Sequence, residues 1–373
     1  MINRRAHFYL KKFTILFVIL AISLFIFVGY KSFRFLNNIG VVIKEKTLSK
    51  PKTTYTSALL GYGGGVHDGA YLTDSIIIAH LNYQTKKAIL VSIPRDLWVK
   101  LPTKSQEPFA AKINTVYQLQ LFPKTFPDVN VKKYTNTDEN GLIKKVLNDI
   151  TGLDIDSVVA VDFQAFKTVI AELGGIDLYI DKSFTDEEYP IEGKEIDLCG
   201  KEEKDLEELE KIATESMVLA FPCRYETVSF TAGQAHLNEE LALKYARSRH
   251  SMQDGGDFAR AARQQKMIEA TVNKLLSPIY LTKIPSLMDK LEKQVQTDIS
   301  YNDLTDIIKQ AGSAKEYKLA KIILSDSNLL TNTYSEDGQY ILIPKQGFFQ
   351  WQKIQNKIKG PTTTPQPTNL NKD

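Results

Sequence analysis

Short apolar runs alternate with longer amphipathic stretches over most of the chain, between about residues 55 and 345. The apolar runs, typical of buried strands, occupy residues 56–61, 75–80, 88–93, 158–161, 176–180 and 341–344. The amphipathic stretches follow the helical period and predict helices at residues 140–151, 163–173, 237–246 and 257–276. Because strands and helices alternate along the chain, the pattern predicts a mixed α/β domain over residues 55–345.

One stretch, residues 13–30, is apolar throughout and carries no charge. A run of roughly 17 to 25 apolar residues is long enough to cross a bilayer, so it predicts a transmembrane helix. Four basic residues precede it and two follow closely. This excess predicts a cytoplasmic tail at residues 1–12, a single-pass anchor in the cell membrane, and an extracellular domain. A cleaved signal peptide is the alternative, but no small-x-small cleavage site follows the run.

The segments that flank the predicted domain are polar. Residues 31–54 carry few periodic apolar residues and predict a stalk or linker. Residues 346–373 turn polar and end in GPTTTPQPTNLNKD, which cannot bury apolar area. We therefore expect a disordered C-terminal tail.

The two cysteines, Cys199 and Cys223, enclose a charged, helix-prone segment. A location outside the cell makes a disulfide between them chemically possible. No histidine or third cysteine lies near either in the sequence, so metal ligation is a weak alternative. We expect a surface insertion at about residues 195–225, closed by a disulfide.

Composition narrows the class of ligand. The 373 residues are 43% hydrophobic and 24% charged, with a net charge of +3. No bulk basicity points to a nucleic acid partner. Any anion site must therefore come from a local cluster of arginines.

Such a cluster lies in residues 241–265. Arg247 and Arg249 end one predicted helix, whereas Arg260, Arg263 and Gln264 lie in the first turns of the next, three or four residues apart and so on one face. Guanidinium groups match phosphate oxygens two hydrogen bonds at a time, which favours a polyphosphate ligand. The alternative is a solvated basic face that Asp254 and Asp257 partly neutralise.

A second polar group is predicted at the ends of two strands. Arg95 and Asp96 follow one buried strand, and Asp74 opens its neighbour, so their side chains can face each other. A carboxylate near arginines is the arrangement that holds a divalent cation against a pyrophosphate. A salt bridge between the strand ends is the plainer alternative. Lys112, in AKINTVY, is by default an exposed lysine.

Six motifs together resemble the LytR-CpsA-Psr family from about residue 55 to 345. They are LTDSI, VSIPRDLWV, KINTVY, VDFQAFKTVIAELGGIDLYI, FTAGQAHLNEELALKYARSRH and GGDFARAARQQ, in the family's order. The resemblance implies a central β-sheet flanked by helices, with an apolar pocket for a polyprenyl tail. It also implies transfer of a glycopolymer, such as teichoic acid or capsule, from a polyprenyl-pyrophosphate carrier to peptidoglycan.

The resemblance also assigns roles to residues. Those matched to the pyrophosphate site are Arg95, Lys112, Arg247, Arg249, Arg260, Arg263 and Gln264. Asp74 matches an aspartate tied to Mg²⁺ (or another divalent cation) or to deprotonation of the acceptor, and Asp96 belongs to the same PRD motif as Arg95. For the lipid tail the candidates are Phe163, Phe166 and Val169, whose spacing equally suits an ordinary core.

Two positions depart from the family pattern: Gly63 stands where many members have aspartate, and Leu72 where many have arginine. His67 and Asp68, in the same loop, are possible substitutes as metal ligands. The departures keep two alternatives open, a hydrolase of the same lipid-linked glycan and a non-catalytic binder of it. We set a transcriptional role aside because the segment before residue 13 is too short for a DNA-binding domain.

Overall fold

A computed structural model describes residues 52–362, with gaps. The gaps are residues 66–68, 106, 108, 137, 206–208, 210–211, 214–215, 276, 282–289, 292–293, 300–306, 308–309 and 312–315. The expected transmembrane helix and most of the stalk lie outside the described residues, as do His67 and Asp68. Among the described helices, none combines the length and the apolar character that crossing a bilayer requires.

The strands are β1 (Thr54–Tyr62), β2 (Thr73–Asn82), β3 (Lys87–Ser92), β4 (Trp98–Leu101), β5 (Phe109–Lys112), β6 (Ser157–Asp162), β7 (Ile176–Ile180), β8 (Phe184–Pro190), β9 (Tyr225–Phe230), β10 (Gly233–Leu237), β11 (Val295–Thr297), β12 (Lys318–Ile323), β13 (Leu330–Tyr334) and β14 (Tyr340–Pro344). The α-helices are α1 (Thr115–Leu121), α2 (Lys132–Thr135), α3 (Gly141–Thr151), α4 (Phe163–Glu172), α5 (Met217–Ala220), α6 (Glu239–Arg247), α7 (Gly256–Leu275), α8 (Pro278–Leu281) and α9 (Gln352–Thr362).

The central sheet is mixed, with the strand order β11-β6-β1-β2-β3-β12. Strand β2 runs antiparallel to β1 and β3, whereas β6 is parallel to β1 and β12 is parallel to β3. The first residues of β2 therefore lie beside the last residues of β3 and β12. This arrangement confirms the mixed α/β class and brings Asp74 and Arg95 to the same edge of the sheet.

One face of the sheet carries the main core. Ala58 and Leu60 on β1 lie opposite Ile78 and Ile76 on β2, and all four are almost fully buried. Side chains from α1, α3 and α9 pack against this face. Since side chains alternate along a strand, the intervening residues point to the opposite face, towards the functional site.

A second cluster of buried residues forms beside the sheet. It joins α4, α6 and the strand pairs β7–β10 and β8–β9, with Phe184, Phe230 and Tyr245 packed ring against ring. Helix α6 begins at Asn238, whose side chain accepts a hydrogen bond from the Leu241 amide. The cluster thus holds the C-terminal end of α6, with its arginines, at a defined place.

The helices expected at residues 140–151, 163–173, 237–246 and 257–276 are present with small changes at their ends. Helix α3 ends as expected at Gly152, which adopts a left-handed backbone conformation. The expected disulfide between Cys199 and Cys223 is also present, with a Cα–Cα distance of 5.4 Å.

The expectation of a tail without structure from residue 346 is wrong for its first part. Residues 352–362 form α9, in which Ile354 and Ile358 are fully buried in the main core. They lie four residues apart on one face, and the polar residues between them face outward. The polar composition thus concealed a narrow apolar stripe. The rest of the tail lies outside the described residues.

Replacing Ile358 tests whether α9 belongs to the folded domain. We expect Ile358→Ala to lower the free energy of unfolding by about 2–4 kcal/mol, because it opens a cavity in the core. Lys357→Ala, on the exposed face of the same helix, should stay within about 0.5 kcal/mol of the unmodified protein. Urea denaturation measures both; equal values would mean that α9 does not contribute to the core.

Candidate functional site

A small cleft that contains two arginines and two aspartates lies where the ends of β2, β3 and β12 meet the first turns of α7. Its lining includes Asp74, Ser75, Arg95, Asp257, Arg260 and Gln264. The sheet supplies the first three and the helix supplies the others. Residues distant in sequence therefore meet because α7 crosses the edge of the sheet.

Asp257 is the common partner of three arginines in this cleft. Its Oδ1 lies 3.1 Å from Nη2 of Arg260 and 3.9 Å from Nη1 of Arg249. Its Oδ2 lies 3.8 Å from Nε of Arg95. One carboxylate thus gathers guanidinium groups from a strand end, a loop and a helix, which would otherwise repel one another.

The carboxylates of the sheet edge have cationic partners too. Arg95 Nη1 donates to Asp74 Oδ1 at 2.6 Å, and Lys112 Nζ donates to Asp96 Oδ1 at 2.7 Å. Lys112 is therefore paired with a carboxylate at the sheet edge rather than solvated alone. The side chain of Asp74 is 42% exposed, against 13% for Asp96. Asp74 is the more accessible of the two to a ligand.

Two of the arginines have a buried donor without a hydrogen-bond partner among the described residues. These donors are the Nε–H groups of Arg95 and Arg260. Burial and the nearby charges of Arg95 and Arg249 lower the pKa of Arg260, although Asp257 and Asp74 act to raise it. Arginine stays protonated even so. Its positive charge is therefore only partly compensated, which favours an anionic ligand.

The charge balance at Arg95 is different. Burial acts to lower the pKa of this guanidinium, but Asp74, Asp257 and Asp96 outweigh burial and raise it. Arg95 is thus held in place by carboxylates, whereas Arg260 carries the excess positive charge of the cleft.

Arg247 occupies a separate, aromatic part of the site. Its guanidinium carbon lies 4.2 Å from the ring centre of Phe163 and 5.4 Å from that of Tyr189, whose hydroxyl accepts from Nη1 at 3.4 Å. Burial raises the pKa of Tyr189 to about 12 despite the opposing charge of Arg247. Phe163, a candidate for the lipid pocket, lies against this guanidinium.

A buried aspartate fixes the loop that carries Arg249. Asp186 on β8 is 1% exposed. Its Oδ2 accepts from Ser248 Oγ at 2.5 Å, from the Arg249 amide at 2.8 Å and from the His250 amide at 3.1 Å. Burial would raise the pKa of Asp186, but these bonds, with one from the Glu188 amide, outweigh it and lower the pKa. The charged carboxylate therefore stabilises the loop.

A pair of glycines closes the same loop against the start of α7. A Cβ on Gly255 would lie 2.0 Å from the carbonyl oxygen of Ser251, a distance that no side chain permits. The amide of Gly256 donates to the carbonyl oxygen of Arg249 at 2.7 Å. The GGD sequence therefore permits the tight turn that places Arg249 beside Asp257.

Arg263 does not join the cleft, so its expected role in pyrophosphate binding is wrong. Arg263 is 3% exposed. Its guanidinium donates to the carbonyl oxygens of Tyr245 and Ser248, and to the carbonyl oxygen and Oδ2 of Asp254. Its guanidinium carbon also lies 4.7 Å from the ring centre of Phe184. All its donors serve the protein itself, so Arg263 supports the loop from the far side of α7.

Gln264 reaches the cleft as expected. Its Oε1 accepts from Ser75 Oγ at 2.9 Å, and its Nε2 donates to the Ala246 carbonyl oxygen at 3.4 Å. Ser75 is on the sheet face opposite the main core. The pair thus marks the point at which the charged cleft meets that face.

The remaining residues suggested for the lipid tail pack as ordinary core. Phe166 and Val169 are partly buried against the second cluster. The sheet face that begins at Ser75 nevertheless carries aliphatic side chains that the described residues leave half-buried. They are Leu59, Ala79, Val159 and Val161.

The carboxylates of the cleft do not form a metal cage by themselves. Within the described parts of the chain, the one group of three possible ligands is Asp197 with Cys199 and Cys223. Those cysteines are bonded to each other and so are not thiolate ligands. Mg²⁺ often takes one or two carboxylates and completes its shell with substrate phosphates and water. Asp74 fits this mode of binding, shared with a bound pyrophosphate.

Three contributors were not assigned a role in the site from the sequence. Asp257 was considered only as a neutralising charge, although its position one helical turn before Arg260 was a signal for direct pairing. Ser75 and Asp186 gave no distinguishing signal, because their partners come from a different part of the chain.

A mixed sheet whose edge carries an incompletely neutralised arginine cluster is an arrangement suited to binding phosphate groups. A sequence model of the LytR_cpsA_psr family matches residues 32–358. The chain therefore belongs to the LytR-CpsA-Psr family.

Individual relatives are more distant. TagV from Bacillus subtilis, a polyisoprenyl-teichoic acid–peptidoglycan teichoic acid transferase, is 28% identical over 265 residues, 70% of this chain and 54% of TagV. TagU from Bacillus licheniformis, a transferase of the same description, is 25% identical over 261 residues, 70% of this chain and 65% of TagU. The chain thus spans less than two thirds of either relative. The crystal structure of B. subtilis TagV matches this chain with a TM-score of 0.53 at 23% identity. The match covers 85% of this chain and 100% of the TagV chain, which supports the fold.

The loop-stabilising role of Asp186 predicts a pH dependence. Asp186→Asn should lower the free energy of unfolding by about 2 kcal/mol at neutral pH, because four donors lose a charged acceptor. Since the folded-state pKa is lowered, this stabilisation is present above the unfolded-state pKa of about 3.9 and disappears as the pH falls through the folded-state pKa. The difference in the free energy of unfolding between Asp186→Asn and the unmodified protein should therefore become smaller below about pH 4.

Chemical denaturation across this pH range measures the effect, and the exposed Asp128→Asn is the matched control. If the loss of unfolding free energy caused by Asp186→Asn stays constant down to about pH 3, the charged Asp186 carboxylate does not stabilise the loop.

Proposed function

We propose that this protein transfers a glycopolymer from a polyprenyl-pyrophosphate carrier to peptidoglycan. The observation that carries the proposal is Arg260, which is 7% exposed, shares Asp257 with two other arginines and has a buried Nε–H without a partner among the described residues. A pyrophosphate supplies the negative charge and the acceptors that this cluster needs. The relatives' description as teichoic acid transferases supports the same reaction class.

In the proposed reaction a hydroxyl of a peptidoglycan sugar attacks the phosphorus next to the glycopolymer. A bond forms between that oxygen and phosphorus, the bridging P–O bond of the pyrophosphate breaks, and polyprenyl phosphate leaves. The hydroxyl proton passes to a carboxylate. Phosphoryl transfer depends mainly on positioning and charge stabilisation. Arg95, Arg249 and Arg260 would therefore bind the pyrophosphate and stabilise the charge that develops on the leaving phosphate.

Arg247 has a different place in this proposal. Its guanidinium lies on the ring of Phe163 and close to Tyr189, which limits its freedom but leaves its edge available. A guanidinium held by its face can still donate to phosphate oxygens from its edge. We infer that Arg247 contacts the phosphate from the α6 side of the cleft.

Asp74 is the carboxylate best placed to serve the acceptor. Asp96 is largely buried and paired with Lys112, whereas Asp74 is more exposed and its Oδ2 has no partner among the described residues. The same carboxylate would hold Mg²⁺, which supplies positive charge to the phosphates when bound. Many members of the family have an aspartate and an arginine where this chain has Gly63 and Leu72. Without those two polar groups, Asp74 would contribute more to binding the metal and to accepting the proton.

The polyprenyl tail would lie along the half-buried aliphatic face of the sheet that begins at Ser75. That face opens next to the charged cleft, so a lipid whose head group is bound by the arginines can extend over it. Burial of aliphatic surface is worth roughly 25 cal/mol per Å², which suits a long hydrocarbon chain. With a single-pass anchor at residues 13–30, the domain would act at the outer surface of the cell membrane.

A product assay tests this function. Purified protein is mixed with a polyprenyl-pyrophosphoryl oligosaccharide and a peptidoglycan fragment, with Mg²⁺ or with a chelator, and products are followed by mass spectrometry. We expect release of polyprenyl phosphate together with a glycosylated fragment. Loss of both on chelation would show that the reaction needs a divalent cation, and retention would show that it does not.

Two other results would replace the proposal. Release of polyprenyl phosphate without a glycosylated fragment would identify a hydrolase. Tight binding of the carrier without any release would identify a non-catalytic binding protein.

Arg260→Lys tests the arginine cluster. Lysine keeps the charge but loses the planar fork, so we expect the rate of transfer to fall at least about tenfold, which is ~1.4 kcal/mol of transition-state stabilisation. Arg224→Lys, on the disulfide-closed segment, is the matched control and should not change the rate. Unchanged turnover for Arg260→Lys would remove this residue from the mechanism.

A further inference from the structure

Two exposed tyrosines lie side by side on the hairpin formed by β13 and β14. Tyr334 and Tyr340 are partners across the hairpin, with ring centres 6.4 Å apart and an interplanar angle of 82°. They are 69% and 41% exposed. Single exposed aromatic residues are common on protein surfaces. A rigid pair of rings is less common and needs an explanation.

The hairpin is attached to the charged cleft. The Leu342 amide donates to the carbonyl oxygen of Asp96 at 2.9 Å, and Leu342 also pairs with Leu97. Tyr340 lies two residues before Leu342 on β14, so both point to the same face of the strand. The buried Leu342 therefore fixes Tyr340 at the rim of the cleft.

The electrostatic surroundings of Tyr340 agree with this position. Burial raises the pKa of its phenol, and the charges of Asp326, Asp96 and Asp257 raise it further, although the side chain of Asn332 lowers it by hydrogen bonding to the phenol. Asp257 lines the cleft and Asp96 directly follows Arg95, which also lines it. The direction of the shift therefore agrees with the attachment of the hairpin at Asp96.

The face that carries the tyrosines suits a sugar ring. Asn332 is exposed and is the cross-strand partner of Leu342, so its amide lies on the same face as the two rings. The C–H groups on the flat side of a pyranose are weakly positive and pack on the negative face of an aromatic ring. The amide can donate to and accept from sugar hydroxyl groups.

The charge of the hairpin distinguishes between possible ligands. Residues 330–344 contain no lysine or arginine and include Glu336 and Asp337. An anionic lipid surface or the phosphates of the donor would be repelled here. An uncharged sugar would not. The hairpin therefore favours the acceptor glycan.

We propose that Asn332, Tyr334 and Tyr340 form an acceptor subsite, on which a pyranose ring of the peptidoglycan glycan strand stacks. The identity of this glycan as the acceptor rests on the proposed transferase function. Binding of the sugar itself does not, and it can be measured without a donor.

Tyr334 provides the sharpest variants. Chitotetraose, an uncharged oligomer of N-acetylglucosamine, is titrated into the full-length protein and followed by saturation-transfer NMR. Tyr334→Leu should weaken binding about fivefold to tenfold because it removes the stacking surface, whereas Tyr334→Phe should stay within about twofold because it keeps the ring. Tyr179→Leu, at a tyrosine that is 54% exposed on β7, is the matched control and should bind normally.

The same variants are then compared in the transfer assay. Tyr334→Leu should raise the KM for the peptidoglycan fragment by a similar factor, with little change in kcat or in the KM for the lipid-linked donor. Saccharide binding that depends on Tyr334 in a protein without transfer activity would support the subsite and reject the transferase. The opposite result is a protein that has transfer activity but in which Tyr334→Leu changes neither saccharide binding nor the KM for the acceptor. It would support the transferase and reject the subsite.

Two further results would overturn the subsite. One is the absence of any chitotetraose binding by the unmodified protein. The other is a Tyr334→Leu variant that binds the saccharide normally but loses adhesion to phosphatidylglycerol vesicles, which would identify the tyrosines as a membrane contact.

Discussion

The carboxylate of Asp257 is the interaction on which the rest of the site depends. It lies in the first turn of α7, where a negative charge is favoured by the helix, and within 4 Å of three guanidinium groups from different elements. Without it, the repulsion between Arg95, Arg249 and Arg260 would increase. Asp74 and Asp96 compensate Arg95 as well, whereas Arg249 and Arg260 share Asp257, so the residue that assembles the cluster leaves part of its positive charge for an anion.

The surrounding structure supports this arrangement with interactions that never reach the ligand. Asp186 binds the Arg249 loop from β8, and Arg263 binds it from the far side of α7. Gly255 allows the loop to turn tightly enough to meet the helix. These groups are buried and fully engaged, so changing them alters the position of Arg249 rather than the chemistry of the cleft. The arginines that face the cleft are the ones with unused donors.

The sequence predicted the fold class and much of the site, because both depend on local periodicity and on short motifs. Asp74 and Arg95 could be paired since they border adjacent apolar strands, and Arg260 with Gln264 since they lie one helical turn apart. Arg263 could not be distinguished from them, because spacing shows which residues are neighbours and not which side of α7 faces the sheet. Helix α9 was missed because its apolar stripe is only two isoleucines wide, and its stability comes from a core formed by distant strands.

The charge distribution also gives the proposed reaction a direction. Arg247, Arg249 and Arg260 come from α6, the following loop and α7, while the sheet edge carries Asp74 and Asp96 with their partners Arg95 and Lys112 and continues into a hairpin without basic residues. A pyrophosphate gains most on the arginine side, and a hydroxyl that must lose a proton gains most beside a carboxylate. If donor and acceptor follow these preferences, they approach from different sides, as an in-line displacement at phosphorus requires.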